Sequence, residues 1–223
     1  MDKQTLEAKI NSGREYRKAQ TFEAREAGEG DASTAKIVTG YATTFNEEYQ
    51  LFAVDNYRVV ESVDPHAFDE ADCSDVIGQF DHQGHVLART RNNTLRLQPD
   101  EHGLFVEMDL SGTELGRQLY DEIRGGYVDR MSFGFTVAAD ERTEEKEEKD
   151  GVTVYTLHRK ITKIGKLYDV SAVSIPANDG TEISARAYAD GAIRQAEAER
   201  LRAEQIERER SERRAKIKIL CEV

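Results

Sequence analysis

Short apolar runs separated by turn residues dominate the middle of the chain, and this pattern is typical of a β-rich domain. β-Branched and aromatic residues predict strands over Lys36–Phe45, Tyr57–Val63 and Asp75–Phe80. Two further runs, Thr94–Leu97 and Gly103–Leu110, flank a Pro-Asp-Glu-His-Gly segment that favours a turn. These two runs therefore predict a β-hairpin.

One segment has helical spacing instead. Leu115, Leu119 and Ile123 recur at four-residue steps after Thr113, and threonine is a favourable residue at a helix N-terminus. A Gly-Gly pair follows Arg124 and predicts the end of the helix. We therefore expect one amphipathic helix within the β-rich domain.

The remainder of the domain contains further strand signals around a charged run. Met131–Ala138, Val152–Ile164 and Leu167–Ile175 each predict a strand. Asp140–Asp150 holds seven acidic and three basic residues, which predicts a solvated loop. Since no βαβ unit repeats, the expected class is α+β. We expect a β-dominated, mostly antiparallel, barrel-like domain with one or more flanking helices.

Both ends of the chain are polar, and this divides it into three parts. We expect a polar N-terminal arm over residues 1–35, a compact domain over 36–185 and a charged tail over 186–223. Between Arg186 and Leu220 there are ten basic and seven acidic residues, rich in helix formers but with a thin apolar stripe. The tail therefore predicts a solvated C-terminal helix or a weak coiled coil.

The charge of the chain excludes several classes of function. A net charge of −12 repels phosphate backbones, so a nucleic-acid binder is not expected. The longest uncharged run, Ile37–Asn46, is too short to span a bilayer, so no membrane segment is expected. Cys73 and Cys221 lie far apart in dissimilar segments. This argues against a disulfide framework or a zinc cluster and is consistent with a reducing compartment.

Two groups of residues could carry chemistry. His82 and His85 form an H-x-x-H pair, which suggests either a metal site or two ordinary loop histidines. No acidic residue stands at a spacing that singles it out as a third metal ligand. Ser132 heads the apolar segment Met-Ser-Phe-Gly-Phe and could be a structural serine or a nucleophile. Glycine motifs for nucleotides are absent from the sequence, and we expect neither a cofactor nor a metal.

Four segments taken together resemble a known family. Their order and spacing are similar to those of the corresponding blocks in the prohead serine proteases of tailed phages. The four segments are GYATTFN, FDHQGHVLART, a hairpin–helix–serine block ending in MSFGF, and LYDVSAVSIPAND. The resemblance covers Gly40–Asp179, nearly all of the compact domain. It implies a fold similar to that of the herpesvirus assemblin proteases and the activity of a serine endopeptidase.

The resemblance assigns roles to three residues. Ser132 matches the family's nucleophile, His82 its histidine base, and Asp169 the acid at the start of its last strand. The chemistry agrees, because a serine hydroxyl needs a neutral imidazole to take its proton and a third group to orient that imidazole. Glu61 and Asp81 remain alternatives for this third group.

The resemblance also predicts a biological role. A prohead protease is packed inside the procapsid in the host cytoplasm, where it cleaves scaffold or capsid-protein segments and then itself. The expected partners are the major capsid protein and the scaffold, and the assemblin likeness adds the expectation of a homodimer. The charged tail would serve as an encapsidation segment and a self-cleavage substrate, or would only aid solubility. The competing hypothesis is a non-enzymatic assembly factor that retains the protease fold.

Overall fold

The computed structural model of the chain describes residues 13–21, 23–25, 35–54, 56–149, 151–173 and 198–211. By its internal contacts the chain divides into two units, Met1–Ala185 and Arg186–Val223, and each is described by itself. Among the described residues, no helix has both the length and the apolar character needed to cross a bilayer.

β-Strands dominate the first unit, which also contains one α-helix among its described residues. In chain order the strands are β1 (Glu15–Thr21), β2 (Glu23–Arg25), β3 (Ile37–Thr44), β4 (Tyr49–Val54), β5 (Tyr57–Val63), β6 (Ile77–Phe80), β7 (Gln83–Arg89), β8 (Leu95–Pro99), β9 (Gly103–Asp109), β10 (Arg130–Lys149) and β11 (Val152–Val173). The helix, α1, spans Glu114–Arg124. The predicted α+β class with a dominant β content is confirmed.

The strands form two sheets. In the larger sheet β10 and β11 form a long antiparallel hairpin, and β1 pairs with the other edge of β10. β11 runs parallel to β5 over Tyr155–Ile161 and then parallel to β6 over Asp169–Ala172. β4 pairs with β5 and β7 with β6. The smaller sheet is antiparallel, in the order β2-β3-β9-β8.

A contiguous hydrophobic core joins the two sheets and α1. It takes Phe133 and Phe135 from β10, Val38 and Val106 from the smaller sheet and Leu119 from α1. Neither sheet closes into a barrel within the described residues, so the barrel-like arrangement expected from the sequence is not confirmed. Burying the apolar faces of two sheets in one core meets the same need that barrel closure would meet.

Several predicted elements are confirmed at nearly the expected bounds. β3, β5 and the hairpin of β8 and β9 occupy the predicted segments. In β9 the alternate residues Leu104, Val106 and Met108 are buried, as a strand with one face in the core requires. α1 begins after Thr113, whose Oγ1 accepts a hydrogen bond from the Gly116 N–H at 2.9 Å. This contact is the expected N-terminal cap.

The acid-rich segment is a strand, where a loop was expected. Asp140–Lys149 continues β10, and its residues 141–149 are exposed. The partner strand β11 pairs with one edge of this segment, and the charged side chains stay in water. The density of charge therefore indicated exposure correctly but not the absence of a strand.

The two strands predicted at Val152–Ile164 and Leu167–Ile175 are one continuous strand, β11, which is described to Val173. Four register shifts interrupt its pairing with β10 between Gly134 and Asp140. Such bulges bend and twist a strand without ending it. β11 can therefore leave β5 and join β6 within a single strand.

Part of the predicted N-terminal arm belongs to the sheets. β1 pairs with β10 and β2 with β3. Tyr16 and Arg17 of β1 are each only 2% exposed. The sequence signal for β1 is weak because charged residues surround Tyr16, and its burial depends on partners from distant strands.

The described part of the second unit is a helix, α2, over residues 198–211, with nearly all of its side chains exposed. The rest of the predicted charged tail, residues 186–197 and 212–223, lies outside the described residues. Cys221 is among them, whereas Cys73 in the first unit is a free thiol.

Candidate active site

A tight hairpin presents His82. Only two residues, Asp81 and His82, join β6 to β7, and Phe80 pairs with Gln83 across the turn. Both turn residues have positive φ, +49° and +56°, as the type I′ turn of a two-residue hairpin requires. The Asp81 N–H also donates to the Ala172 carbonyl at 2.8 Å. This bond holds the tip of the hairpin against β11.

Strands β10 and β11 supply the serine and the acid. Their register places Ser132 opposite Ser171 and Asp169 opposite Gly134. Residues two apart in a strand face the same side, so these four residues share one face of the sheet. Phe133, on the opposite face, is buried in the core. Because β10 is fixed by core packing on one side, the serine on its other side has a fixed position.

The three residues singled out from the sequence are in direct contact. His82 Nε2 lies 2.6 Å from Ser132 Oγ, and His82 Nδ1 is hydrogen-bonded to Asp169 Oδ1. All three are nearly buried, with exposed fractions of 4% for His82, 3% for Ser132 and 2% for Asp169. A carboxylate only accepts hydrogen bonds, so the Nδ1 proton points to Asp169 and Nε2 can accept the serine hydroxyl proton. The arrangement of hydroxyl, imidazole and carboxylate in one hydrogen-bonded series is the one that activates a serine as a nucleophile.

Neighbouring residues that the sequence analysis missed complete the arrangement. The Ser171 hydroxyl donates to Asp169 Oδ1 at 3.0 Å. The Tyr16 ring meets the His82 imidazole edge to face, with 4.7 Å between ring centroids. Gly134 leaves the space for them, since a Cβ there would lie 2.5 Å from Asp169 Oδ2 and 2.8 Å from the Tyr16 ring. The serine cluster is defined as Tyr16, His82, Ser132, Asp169 and Ser171.

The environment of Tyr16 keeps its phenol neutral. Burial first, and then the negative charge of Asp169, raises the pKa of Tyr16 to about 12. At physiological pH the ring therefore adds no second negative charge beside Asp169.

One sequence signal could have pointed to Ser171: it stands two residues after Asp169 in a strand, and so on the same face. No comparable local signal marks Tyr16.

Glu61, an alternative for the orienting group, belongs to a second buried cluster. Its carboxylate accepts hydrogen bonds from Arg17 Nη2 at 2.9 Å, Arg159 Nη1 at 2.7 Å and the Tyr49 hydroxyl at 2.6 Å. The ion cluster is defined as Glu15, Arg17, Tyr49, Glu61, Asp140 and Arg159. The structure thus brings a different carboxylate, that of Asp169, to the imidazole.

Two other candidates, Asp81 and His85, lie on the hairpin of β6 and β7. Asp81 stands beside His82 in the turn, but the imidazole nitrogen that needs an orienting partner is bonded to Asp169. His85, the second histidine of the H-x-x-H pair, lies on β7 with an exposed side chain. Within the described ranges, no three His, Cys, Asp or Glu side chains are gathered as a metal site would require.

Comparison with known protein families identifies the class of the chain. The caudovirus prohead serine protease family matches residues 20–193, a range that includes His82, Ser132 and Asp169. The chain belongs to this family. No curated protein and no solved structure matches the chain.

Membership of the prohead serine proteases implies serine peptidase activity in phage maturation. The matched range begins at residue 20, so Tyr16 and Arg17 precede it although they enter the serine cluster and the ion cluster. The likeness to the assemblin proteases has no matching solved structure behind it and remains a prediction.

Proposed function

We propose that the chain is a serine endopeptidase in which Ser132 is the nucleophile, His82 the general base and Asp169 the group that orients the imidazole. The observation that supports this most directly is the continuous series of hydrogen bonds from Ser132 Oγ through both nitrogens of His82 to Asp169. A hairpin turn and two strands bring these three side chains together in a nearly buried site, where hydrogen bonds are strong.

In the first half of the reaction, Ser132 Oγ forms a bond to the carbonyl carbon of the scissile peptide. Its proton passes to His82 Nε2, and the carbonyl π electrons move to the oxygen. The resulting imidazolium is stabilised by the negative charge of Asp169. His82 then gives the proton to the leaving amine as the C–N bond breaks, which leaves an acyl-enzyme on Ser132.

In the second half, a water molecule replaces the amine. His82 takes a proton from the water as the water oxygen bonds to the ester carbonyl carbon. His82 then returns that proton to Ser132 Oγ as the bond between Oγ and the acyl carbon breaks and the carboxylic acid product leaves. The Ser171 hydroxyl, which is bonded to Asp169, helps to hold the carboxylate in the orientation that both halves need. In this role Ser171 is a positioning residue.

A serine-reactive fluorophosphonate tests the assignment of the nucleophile. We expect one adduct per chain, mapped to Ser132 by mass spectrometry. Ser132→Ala should abolish the adduct, because the alanine has no hydroxyl. Ser62→Ala, which changes another buried serine of the same sheet, is the matched control and should label normally. An adduct at a different residue, or normal labelling of Ser132→Ala, would contradict the assignment.

We further propose that the substrates are the scaffold and capsid proteins of the same phage, that cleavage occurs inside the procapsid in the host cytoplasm, and that the enzyme finally cleaves itself. The family match supports this proposal. In it, the protease domain predicted over residues 36–185 also includes strands β1 and β2, which pair into its two sheets. The tail from Arg186 directs encapsidation and is removed by self-cleavage. Coexpression with the phage capsid proteins tests these points. Ser132→Ala should assemble into procapsids without processing them, and deletion of residues 186–223 should lower packaging of the enzyme.

A further inference from the structure

A cavity of about 290 Å³ lies between strand β7 and helix α1. Its apolar wall includes Phe80, Leu87 and Leu119. Leu115 also lines it and is 46% exposed, although it stands four residues before the buried Leu119 on α1. Helical spacing would favour burial of Leu115 in the core, and the structure instead leaves it beside an open cavity.

The cavity is linked to the serine cluster by residues that are adjacent in the sequence. Gln83 and Gly84 line it, and they directly follow His82, whose Nε2 lies 2.6 Å from Ser132 Oγ. Gly84 has a φ of +78°, and a Cβ there would meet nothing within 4 Å, so the space above this part of β7 is open. A peptide that reaches Ser132 therefore has an open, apolar cavity next to the hairpin that carries the base.

One edge of β7 has no partner strand within the part of the chain that the structure describes. Among the described strands it pairs with β6 alone. The first half of the strand, Gln83–Val86, is exposed. An exposed strand edge offers unpaired N–H and C=O groups to which an extended peptide can add as a further strand. Alternate side chains of such a peptide point to the same side and can enter a neighbouring cavity.

We infer that this cavity is a specificity subsite, which receives an aliphatic side chain of a substrate segment bound in an extended conformation along β7. The inference rests on the proposed function. Apolar walls reward burial of an aliphatic group, whereas a charged side chain would lose its water without gaining a partner on those walls. Among the described residues, the polar side chains that line the cavity are those of Gln83, His85, Gln118 and Glu122, and Gln118 donates a hydrogen bond to Glu122 at 2.9 Å.

Cleavage of a diverse peptide library by the full chain, followed by mass spectrometry, tests the subsite. We expect Leu, Ile, Val or Met to be enriched at one position near the cleaved bond. Leu115→Glu should lower kcat/KM for those peptides by about 10- to 100-fold and raise it for peptides with Lys at that position. Leu115→Trp, which fills the cavity without adding charge, should disfavour the larger aliphatic residues.

Val152→Glu is the matched control. It adds the same charge at another exposed apolar residue, 54% exposed, at the opposite end of β11 from Asp169. This variant should keep the preference of the native chain. Fluorophosphonate labelling of Ser132 reports whether each variant is folded.

Two results would overturn the subsite: no aliphatic preference in the native chain, or the same preference in a Leu115→Glu variant that labels normally. Absence of labelling in the native chain would instead contradict the proposed function itself.

Discussion

Strand β1 sends two consecutive side chains to opposite faces of the larger sheet, and each enters a different buried cluster. Tyr16 packs on His82 in the serine cluster, and Arg17 binds Glu61 in the ion cluster. The central residues of both clusters are buried: Ser132 is 3% exposed, and Glu61 is fully buried. They therefore face the same cost of removing polar groups from water.

The two clusters meet that cost differently. In the ion cluster, the guanidinium groups of Arg17 and Arg159 balance buried carboxylates, and further hydrogen bonds fix each charge in place. In the serine cluster, the carboxylate of Asp169 is hydrogen-bonded to the imidazole of His82 and the hydroxyl of Ser171. Its negative charge can therefore stabilise an imidazolium that forms during a reaction. The carboxylate of Glu61 is balanced by two guanidinium groups and stabilises the fold, whereas the carboxylate of Asp169 is bonded to an imidazole and a hydroxyl and can assist a reaction.

The largest effect is expected from Asp169→Asn. The amide keeps the shape of the carboxylate but favours the wrong imidazole tautomer and cannot stabilise the imidazolium. We expect the rate of peptide cleavage to fall by roughly 10⁴-fold. The free energy of unfolding should change less than it does in the ion-cluster variant Glu61→Gln. Asp140→Asn, in the ion cluster, is the control that should retain the rate. Equal rates in the two variants would erase the distinction between the clusters.

Glu61→Gln should lower the stability of the fold rather than the rate of cleavage. It leaves Arg17 and Arg159 without their shared buried carboxylate, so we expect the free energy of unfolding to fall by about 3–5 kcal/mol. Urea denaturation at neutral pH measures this loss. The folded fraction should still label at Ser132. A loss of labelling without a loss of stability would mean that Glu61 acts in the reaction rather than in the fold.

Acid should weaken the ion cluster specifically. Burial alone would raise the pKa of Glu61, but Arg17 and Arg159 outweigh it and hold that pKa below its ordinary value of 4.5. A carboxylate whose pKa is lower in the folded state stabilises the fold above its unfolded pKa, and this contribution is lost as the pH falls through the folded value. The native chain should therefore lose stability below about pH 4.5, and Glu61→Gln should show a shallower loss in urea titrations over that range.

A smaller effect is expected from Ser171→Ala. The variant removes one hydrogen bond to a charged group, which is worth about 1.5–3 kcal/mol. We expect kcat to fall by roughly 10- to 100-fold while KM changes little, because in the proposed mechanism Ser171 orients Asp169 and does not contact the substrate. Ser171→Thr restores the hydroxyl and should recover most of the rate. Failure of threonine to recover it would indicate that the size of the side chain, rather than its hydrogen bond, matters.

The smallest effect is expected from Tyr16→Phe. The ring that packs on His82 remains, and the removed hydroxyl is neutral because the pKa of Tyr16 is about 12. Labelling of Ser132 should change by less than about threefold, because phenylalanine keeps the aromatic contact with the His82 imidazole. The native pH–rate profile should show no tyrosine ionisation up to pH 10. A large loss in Tyr16→Phe would assign the phenol hydroxyl a direct role.

Local patterns were enough to predict much of the framework. The alternation in β9 and the threonine cap of α1 act over a few residues, so the sequence shows them directly. Ser132 and His82 were found through blocks of sequence that resemble a family, and Asp169 through the same resemblance. The weakly patterned β1 and the charged extension of β10 were missed, because pairing with distant strands decides both.

The sequence by itself determined the β-rich class, the helix and the residue types needed for a serine nucleophile. Only the tertiary structure decided which polar groups are buried together. His82 and Asp169 are 87 residues apart, and Arg17 and Glu61 are 44 apart. A buried polar side chain is tolerated only where its partners meet it, and the pattern within one strand does not specify which distant strand will lie beside it. For that reason, Asp169 and Glu61 were both candidates in the sequence, and long-range strand pairing gave them different environments.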